Sequence, residues 1–281
     1  MSAAEHHCVL HSEPLLRRLG YTVELIPVDG QARVVPEVVE ELLAEDVLLA
    51  SVMHANNEFG TLNDIPVVSS LVHNAGALLH VDAVQTFRSV PWKVDDLEAD
   101  LISMSGHKIG GPKGVGAIYI RAGTRVKAIT SGGGQEREMR GGTENVAAIA
   151  GFAAAAQVER ADSSATRDLF ESTLVKGCAV ASVSDATRLP GHCHVRFPGV
   201  DAETMLISLD RAGISASSGA ACSSGSVEPS HVMRACGYSE AEAKEGLRFT
   251  FGPSTSEADA REAASRVLQV ADHIIRNKKA S

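Results

Sequence analysis

The chain has 281 residues, of which 44% are hydrophobic and 22% charged, the balance of an ordinary folded protein with one large domain or two unequal ones. Its 26 Lys and Arg residues against 35 Asp and Glu give a net charge of −9, which argues against nucleic acid or an anionic membrane as a partner. No apolar run approaches the ~20 residues of a membrane span, and residues 1–7 lack the features of a signal peptide. We expect a cytoplasmic protein, or an organellar one if a targeting segment has been lost.

The first half of the chain alternates short apolar runs with helical segments. The pattern predicts helices over 36–44 and 66–74, and strands over 21–28, 46–54, 77–83, 100–105 and 115–120. Continuous apolar strands separated by helices indicate an α/β fold, with a mostly parallel sheet covered by helices on both faces. Ligands bind at the carboxyl ends of such strands. The polar residues that follow three of the strands are therefore candidates: 56–58, 82–85 and 105–108.

The second half has a different pattern from about residue 161 onward. A strand is predicted over 193–197, an amphipathic helix over 202–212, a loop of small residues over 217–226, a strand over 247–251 and a final helix over 256–277. The apolar segment 147–159 predicts a helix that links the two halves. We therefore predict a large domain over 1–160 and a smaller α+β C-terminal domain over 161–281.

The cysteines indicate free thiols rather than a disulfide framework. Their odd number, wide spacing and lack of a CxxC pair favour a reducing compartment. Three histidines surround the first cysteine, but two ligand types in one short segment are a weak sign of a metal, and we predict no metal site. The five cysteines are Cys8, Cys178, Cys193, Cys222 and Cys236.

The segment "SGHKIGGPKGVGA", residues 105–117, places Lys108 where a buried strand is predicted to end. A lysine is costly to bury there unless its amine has a task or a partner. A neutral lysine amine forms Schiff bases with carbonyl cofactors such as pyridoxal phosphate. The alternatives are a surface lysine and a nucleotide-binding turn. The second is disfavoured because the glycines do not match GxGxxG, Pro112 interrupts them and no helix is predicted to follow.

A pyridoxal cofactor makes further demands that the sequence can meet. Its pyridine nitrogen needs a carboxylate, and Asp82 closes the apolar strand "LLHVD". Gln85 lies three residues further on and could contact the ring oxygen. His6 offers a ring to stack on the pyridine, and His107 a donor for the phosphate, although each histidine alone is also typical of a structural residue.

Two residues of the second half are candidates for handling a substrate. Cys222 lies in "SSGAACSSGS", where a thiol could move toward a substrate, the alternative being a small buried apolar residue. Arg248 lies on the apolar strand "LRFTF" and needs an anionic partner. A substrate carboxylate and a structural salt bridge both remain open for it.

Seven motifs in order, from residue 5 to about 259, resemble those of the NifS-like cysteine desulfurases. With selenocysteine lyases, these belong to the class-V aminotransferase group of pyridoxal-phosphate enzymes of fold type I. The motifs are "EHHCVL", "MHANNEFGT", "HVDAVQT", "SGHKIGGPKGVGA", "GGGQEREMRGGTENV", "SSGAACSSGSVEPSHVM" and "LRFTFGPSTSEAD".

The resemblance implies a set of cofactor contacts. Lys108 would form the Schiff base with pyridoxal phosphate, Asp82 would pair with the pyridinium, and His6 would stack on the ring and take part in catalysis. The other implied contacts are Asn57 and Gln85 to the ring oxygen, Ser105 and His107 to the phosphate, and Thr143 to the phosphate of the partner subunit.

The resemblance also implies a reaction and partners. Arg248, with Asn57, would bind the carboxylate of L-cysteine, and Cys222 would take its sulfur as a persulfide, leaving L-alanine. The sulfur would pass to an acceptor protein, as in iron–sulfur cluster assembly, and the contact of Thr143 implies a homodimer. Two alternatives remain: a selenocysteine lyase that releases selenide from L-selenocysteine, and a non-catalytic remnant. Retention of all four of Lys108, Asp82, Cys222 and Arg248 argues against the remnant.

The N-terminus departs from the family pattern. Members carry ~100 residues before the "EHH" motif, including a loop that places the cofactor phosphate at a helix N-terminus. This sequence begins at Met1, four residues before Glu5. We therefore expect either a fragment or a shortened protein, with part of the sheet uncovered.

Overall fold

The structure is a computed structural model that describes residues 1–219 and 229–280. Its first sheet has four strands in spatial order: β1 (Leu49–Met53), β2 (Leu78–Asp82), β3 (Leu101–Ser105) and β4 (Gly116–Ile120). β1, β2 and β3 run parallel, whereas β4 is antiparallel to β3. These four strands confirm the predictions for their segments and make an α/β architecture.

A second sheet is formed by the C-terminal half. It is antiparallel throughout, in the order β5 (Val180–Ala181), β6 (His192–Arg196) and β7 (Gly246–Thr250). The strands predicted over 193–197 and 247–251 are thus confirmed, each shifted by one residue. The domain boundary at residue 160 stays a prediction.

The helices agree with the longer predicted segments. α4 shows why: Asp64 accepts the amide proton of Val67 at 3.3 Å as its N-cap, and Pro66 lies in the first turn, where no amide proton is needed. The α-helices are α1 (His7–Leu10), α2 (Glu13–Arg18), α3 (Pro36–Leu42), α4 (Ile65–Asn74), α5 (Val94–Leu97), α6 (Val146–Gln157), α7 (Ser164–Gly177), α8 (Ala202–Arg211), α9 (His231–Ala235), α10 (Glu240–Ala243) and α11 (Glu257–Ala280). Short 3₁₀ helices span Gly106–Ile109 and Gln135–Glu138.

The strand predicted over 21–28 is wrong. This segment makes only isolated bridges, from Ile26 to Ser2 and from Val28 to Val34. Pro27 has no amide proton to donate to a ladder, and Tyr21 is exposed. The apolar composition of the segment therefore reflects partial burial of single residues rather than a paired strand.

Within the described residues, the core consists of three hydrophobic clusters. One packs helices α3 and α4 against β1–β3, and another packs α7, α8 and α11 against the second sheet. The third joins the two halves: Phe59, from the loop after β1, packs with Val232 and Met233 of α9 and with Val183. This third cluster fixes where the residues of the second half lie relative to the first sheet.

The described residues contain neither a membrane-spanning helix nor a metal-binding cluster. No helix within 1–219 and 229–280 has the length and apolar character to cross a membrane. The same residues contain no group of three or more His, Cys, Asp and Glu side chains that could hold a metal ion.

Candidate active site

The carboxyl ends of β1, β2 and β3 lie along one edge of the first sheet because these strands are parallel. Asp82 is the last residue of β2 and Ser105 the last of β3, while Asn57 follows β1 by four positions. The predicted polar residues therefore gather at one edge.

Asp82 is 6% exposed. One of its carboxylate oxygens, Oδ1, accepts the amide proton of Val84 at 2.9 Å, and its carbonyl accepts that of His54 at 2.9 Å. These backbone contacts fix a carboxylate in a largely dry position. Such a group can hold a cation or a protonated ring nitrogen.

His6 lies at the start of α1, where its ring serves as the N-cap. Nδ1 accepts the amide proton of Cys8 at 3.2 Å, so the proton of the neutral ring belongs on Nε2. Burial lowers the pKa of His6, with Asp82 acting against it and Lys108 adding to it. His6, Asp82 and Lys108 are therefore within electrostatic reach of one another, and the ring is neutral at pH 7.

The segment after β3 brings together three predicted residues. Ser105 Oγ and His107 Nδ1 are 2.7 Å apart and hydrogen-bonded. Lys108 lies on the 3₁₀ helix Gly106–Ile109, and its side chain is exposed. The free-energy cost that the sequence predicts for burying Lys108 does not arise, because the side chain is exposed. A Cβ at Gly106 would press on Val115 at 3.0 Å, which accounts for one glycine of the motif.

A cleft of about 210 Å³ opens beside Lys108 and also contacts Gln85. Sequence reasoning missed two of its other lining residues, Arg160 and His192. Burial, together with Arg248 and Lys108, lowers the pKa of His192 to about 3, so its ring is neutral. A neutral imidazole beside two cations can accept a hydrogen bond from a ligand but does not repel a substrate ammonium.

Arg248 comes to the site from the second sheet. Its Nη1 donates to the carbonyl of Asn57 at 2.7 Å, and its backbone pairs with Ser217 through two hydrogen bonds of 2.7 and 3.0 Å. The two residues predicted to bind the substrate carboxylate are therefore in direct contact.

One predicted residue, Thr143, is not brought to this cluster, and another, Cys222, cannot be placed. Thr143 is exposed, three residues before α6. Cys222 lies outside the described residues. Their assigned roles stay predictions.

Histidine rings at α1 and at the start of α9 pack against one another. The rings of His7 and His11 are 4.7 Å apart, and those of His7 and His231 are 4.2 Å apart. His231 Nε2 donates to the carbonyl of Glu5 at 2.9 Å. The cluster thus ties α1 to α9, and the described residues show no metal-binding group here.

Two buried acids complete the surroundings. Glu5 and Glu58 are both 0% exposed. Burial raises the pKa of Glu5 to about 8, helped by nearby Asp82, and raises that of Glu58 to about 7. Both lie within the motifs "EHH" and "NNE", but only the structure shows that they are buried.

Comparisons with known proteins identify the family of the chain. The family model described as aminotransferase class-V matches residues 1–262. "Cysteine desulfurase IscS 1" of Archaeoglobus fulgidus is 39% identical, over 98% of this chain and 73% of that protein. A solved "NifS-like protein" superposes with a TM-score of 0.88 at 31% identity, covering 97% of this chain and 74% of the other. The structure named "SspA in complex with cysteine" does so with a TM-score of 0.80 at 31% identity, covering 91% and 73%.

The chain belongs to the class-V aminotransferase family, with the α/β architecture of fold type I. Within that family it belongs with the NifS-like cysteine desulfurases.

Proposed function

We propose that this chain is a pyridoxal-phosphate-dependent cysteine desulfurase, which converts L-cysteine to L-alanine and takes the sulfur on Cys222 as a persulfide. One observation carries the proposal: Asp82 at the end of β2 and Lys108 just after β3 both lie within electrostatic reach of His6. The cysteine bound by a structural neighbour supports the substrate. The role of Cys222 rests on the resemblance.

The donor set fits the cofactor. Asp82 would hold the pyridine nitrogen, the neutral ring of His6 would stack on the pyridine, and the hydrogen-bonded pair Ser105 and His107 would hold the phosphate. Lys108 would supply the amine that binds the aldehyde. When bound, pyridoxal phosphate acts as an electron sink for the bonds at the substrate α-carbon.

The chain's own residues would then perform three tasks. Arg248 binds the substrate carboxylate, because a guanidinium matches a carboxylate in two parallel hydrogen bonds. The amine of Lys108 would move the proton at the substrate α-carbon. The thiolate of Cys222 attacks the substrate sulfur, so that an S–S bond forms and the Cβ–S bond breaks. The electron pair of that bond stays with the carbon, which is protonated to give alanine.

The first test is to trap the cofactor on the protein. We expect the purified chain with pyridoxal phosphate to give a yellow absorption band, and borohydride followed by peptide mapping to place the adduct on Lys108. Lys108→Ala should abolish the adduct. Lys113→Ala, which removes an exposed lysine of the same glycine-rich loop, should leave it intact. A colourless wild-type protein without a trapped lysine would support the non-catalytic remnant instead.

The second test measures the product. We expect sulfide and alanine from L-cysteine, with both lost in Cys222→Ala and retained in Cys178→Ala. Faster release of selenide from L-selenocysteine, with little sulfide from L-cysteine, would favour a selenocysteine lyase.

We further propose a homodimer, through the contact of Thr143 with the cofactor phosphate of the partner subunit, and transfer of the sulfur to an acceptor protein. Free thiols at Cys8, Cys178, Cys193 and Cys236 support a reducing compartment such as the cytoplasm. Analytical ultracentrifugation of the cofactor-loaded protein tests the dimer.

A further inference from the structure

Glu58 is a buried acid that the proposed reaction does not use. It lies on the loop after β1, next to Asn57, and is 0% exposed. Its backbone is fixed by Asn56, whose Oδ1 accepts the amide protons of Glu58 and Phe59, both at 2.9 Å. The loop therefore holds the Glu58 side chain at a defined place.

The Glu58 carboxyl group contacts two residues that are close in space but eleven positions apart in the sequence. Ser230 Oγ donates to Glu58 Oε2 at 2.5 Å. A Cβ built on Gly219 would overlap the same carboxyl group, so this position admits only glycine while Glu58 keeps its place. Gly219 and Ser230 lie just before and just after residues 220–228, the segment that contains Cys222.

The contact with Ser230 is itself anchored. Ser230 is the N-cap of α9, where its Oγ accepts the amide proton of Met233 at 3.1 Å. On the other side, Ser217 pairs with the backbone of Arg248. Glu58 therefore connects the loop after β1 with Gly219 and Ser230, two positions of the second half whose backbone surroundings are themselves hydrogen-bonded.

The charged surroundings of Glu58 come from β7 and α9. Arg248 is the cation that faces it, and Ser230 is its hydrogen-bond donor. The other titratable neighbour, Cys236, has a pKa raised to about 12 by burial, so it stays neutral. Among the described residues, Glu58 Oε1 has no hydrogen-bond partner. Because burial raises the pKa of Glu58 to about 7, both protonation states are populated near neutrality.

We propose that Glu58 is a positioning residue for sulfur transfer: its carboxylate binds Ser230 and packs against Gly219, and thereby fixes the two ends of the segment that contains Cys222. This inference rests on the proposed function, since it assigns the purpose of the contact to Cys222. The ionised carboxylate is the form that holds the contact, because a hydrogen bond to a charged group is about twice as strong as one between neutral groups.

The test compares Glu58→Gln with wild type at two pH values. The glutamine keeps a hydrogen-bond acceptor but never ionises. At pH 8 we expect the kcat of the variant to be about tenfold below that of wild type, because the variant replaces a charged hydrogen bond with a neutral one. At pH 6 we expect the two kcat values to agree within about twofold, because most wild-type Glu58 is then protonated as well. The ratio of the two kcat values at each pH is independent of the ionisation of Cys222, because that ionisation affects both proteins equally. Glu171→Gln, which neutralises another buried acid, should show no such change of ratio with pH.

A second readout needs no cofactor. Hydrogen exchange of the amides at 217–219 and 229–233, corrected for the intrinsic rate, should become faster in wild type as the pH falls from 8 to 6, and should not depend on pH in Glu58→Gln. Ser230→Ala removes the hydrogen-bond donor and should show the same pH-independent exchange as Glu58→Gln. It is the variant to use if Glu58→Gln does not fold.

The outcomes separate this inference from the proposed function. A wild-type protein that traps no cofactor would overturn the proposed function, and the exchange measurement would still decide the role of Glu58. Equal kcat ratios at both pH values, or the same exchange profile in wild type and variant, would overturn the positioning role even in an active enzyme.

Discussion

The raised pKa of Glu5, a buried acid near Asp82, can be tested quantitatively through the pH dependence of stability. Its Oε1 accepts the amide proton of Met53 at 2.5 Å, and its Oε2 has no hydrogen-bond partner among the described residues. Burial, then the charge of Asp82, raises the pKa of Glu5 from 4.5 to about 8. Because the folded state binds this proton more tightly than the unfolded state, the contribution of Glu5 to stability is fully present below pH 4.5. It is lost as the pH rises to about 8.

The size of the effect follows from the interval between the two pKa values. At 1.36 kcal/mol per pH unit, a rise from 4.5 to about 8 corresponds to about 5 kcal/mol of unfolding free energy lost between pH 4.5 and pH 8.5. Glu5→Gln cannot ionise, so it should escape this loss. We expect the stability difference between variant and wild type to shift by about 3 to 5 kcal/mol in favour of the variant between pH 5 and pH 8.5.

The assay is urea unfolding followed by the fluorescence of Trp92, the only tryptophan of the chain, which packs against the core of the first sheet. The control is Glu37→Gln, which replaces an exposed acid of α3 and should follow wild type at both pH values. If the unfolding free energy of wild type and of Glu5→Gln fell by the same amount between pH 5 and pH 8.5, the pKa of Glu5 would not be raised in the folded protein.

Two further predictions concern single side chains. Arg248→Lys keeps the charge but loses the two-pronged geometry, so the KM for L-cysteine should rise by about tenfold with kcat changed far less, as measured by sulfide release; a lowered kcat at unchanged KM would contradict carboxylate binding. Glu171→Ala breaks a largely buried pair with Arg188 that has two hydrogen bonds of 2.6 and 2.7 Å, and it should cost about 3 kcal/mol in urea unfolding. The matched Glu13→Ala, which breaks an exposed pair, should cost less than about 1 kcal/mol.

The sequence predicts the edge of the first sheet well because its signals are local. Continuous apolar runs locate β1, β2 and β3, and the parallel arrangement then places Asp82 and Ser105 at the same edge whatever the packing elsewhere. The direction of β4, in contrast, has no local signal in the sequence. An apolar run looks the same in a parallel and an antiparallel strand, so its pairing with β3 appears only in the structure.

The contacts across the two halves could not be predicted in the same way. Arg248 and Asn57 are 191 positions apart, and no local pattern shows that a guanidinium from β7 reaches a carbonyl after β1. The sequence left a salt bridge and a substrate carboxylate open for Arg248, and its observed partner is a backbone oxygen. The same holds for Glu58 and Ser230, which are 172 positions apart. A buried acid looks like any surface acid until the fold covers it.

The third hydrophobic cluster has a consequence for the proposed chemistry. Phe59 belongs to the loop that carries Asn57 and Glu58, and it packs against Val232 and Met233 of α9. Arg248 and Ser230 are thereby held against the edge where Asp82 lies. A hydrogen bond of 2.7 Å from Arg248 to Asn57 tolerates little displacement before it breaks. Loss of packing at Phe59 would therefore weaken substrate binding and the Glu58 contact together, although no atom of Phe59 belongs to the proposed reaction.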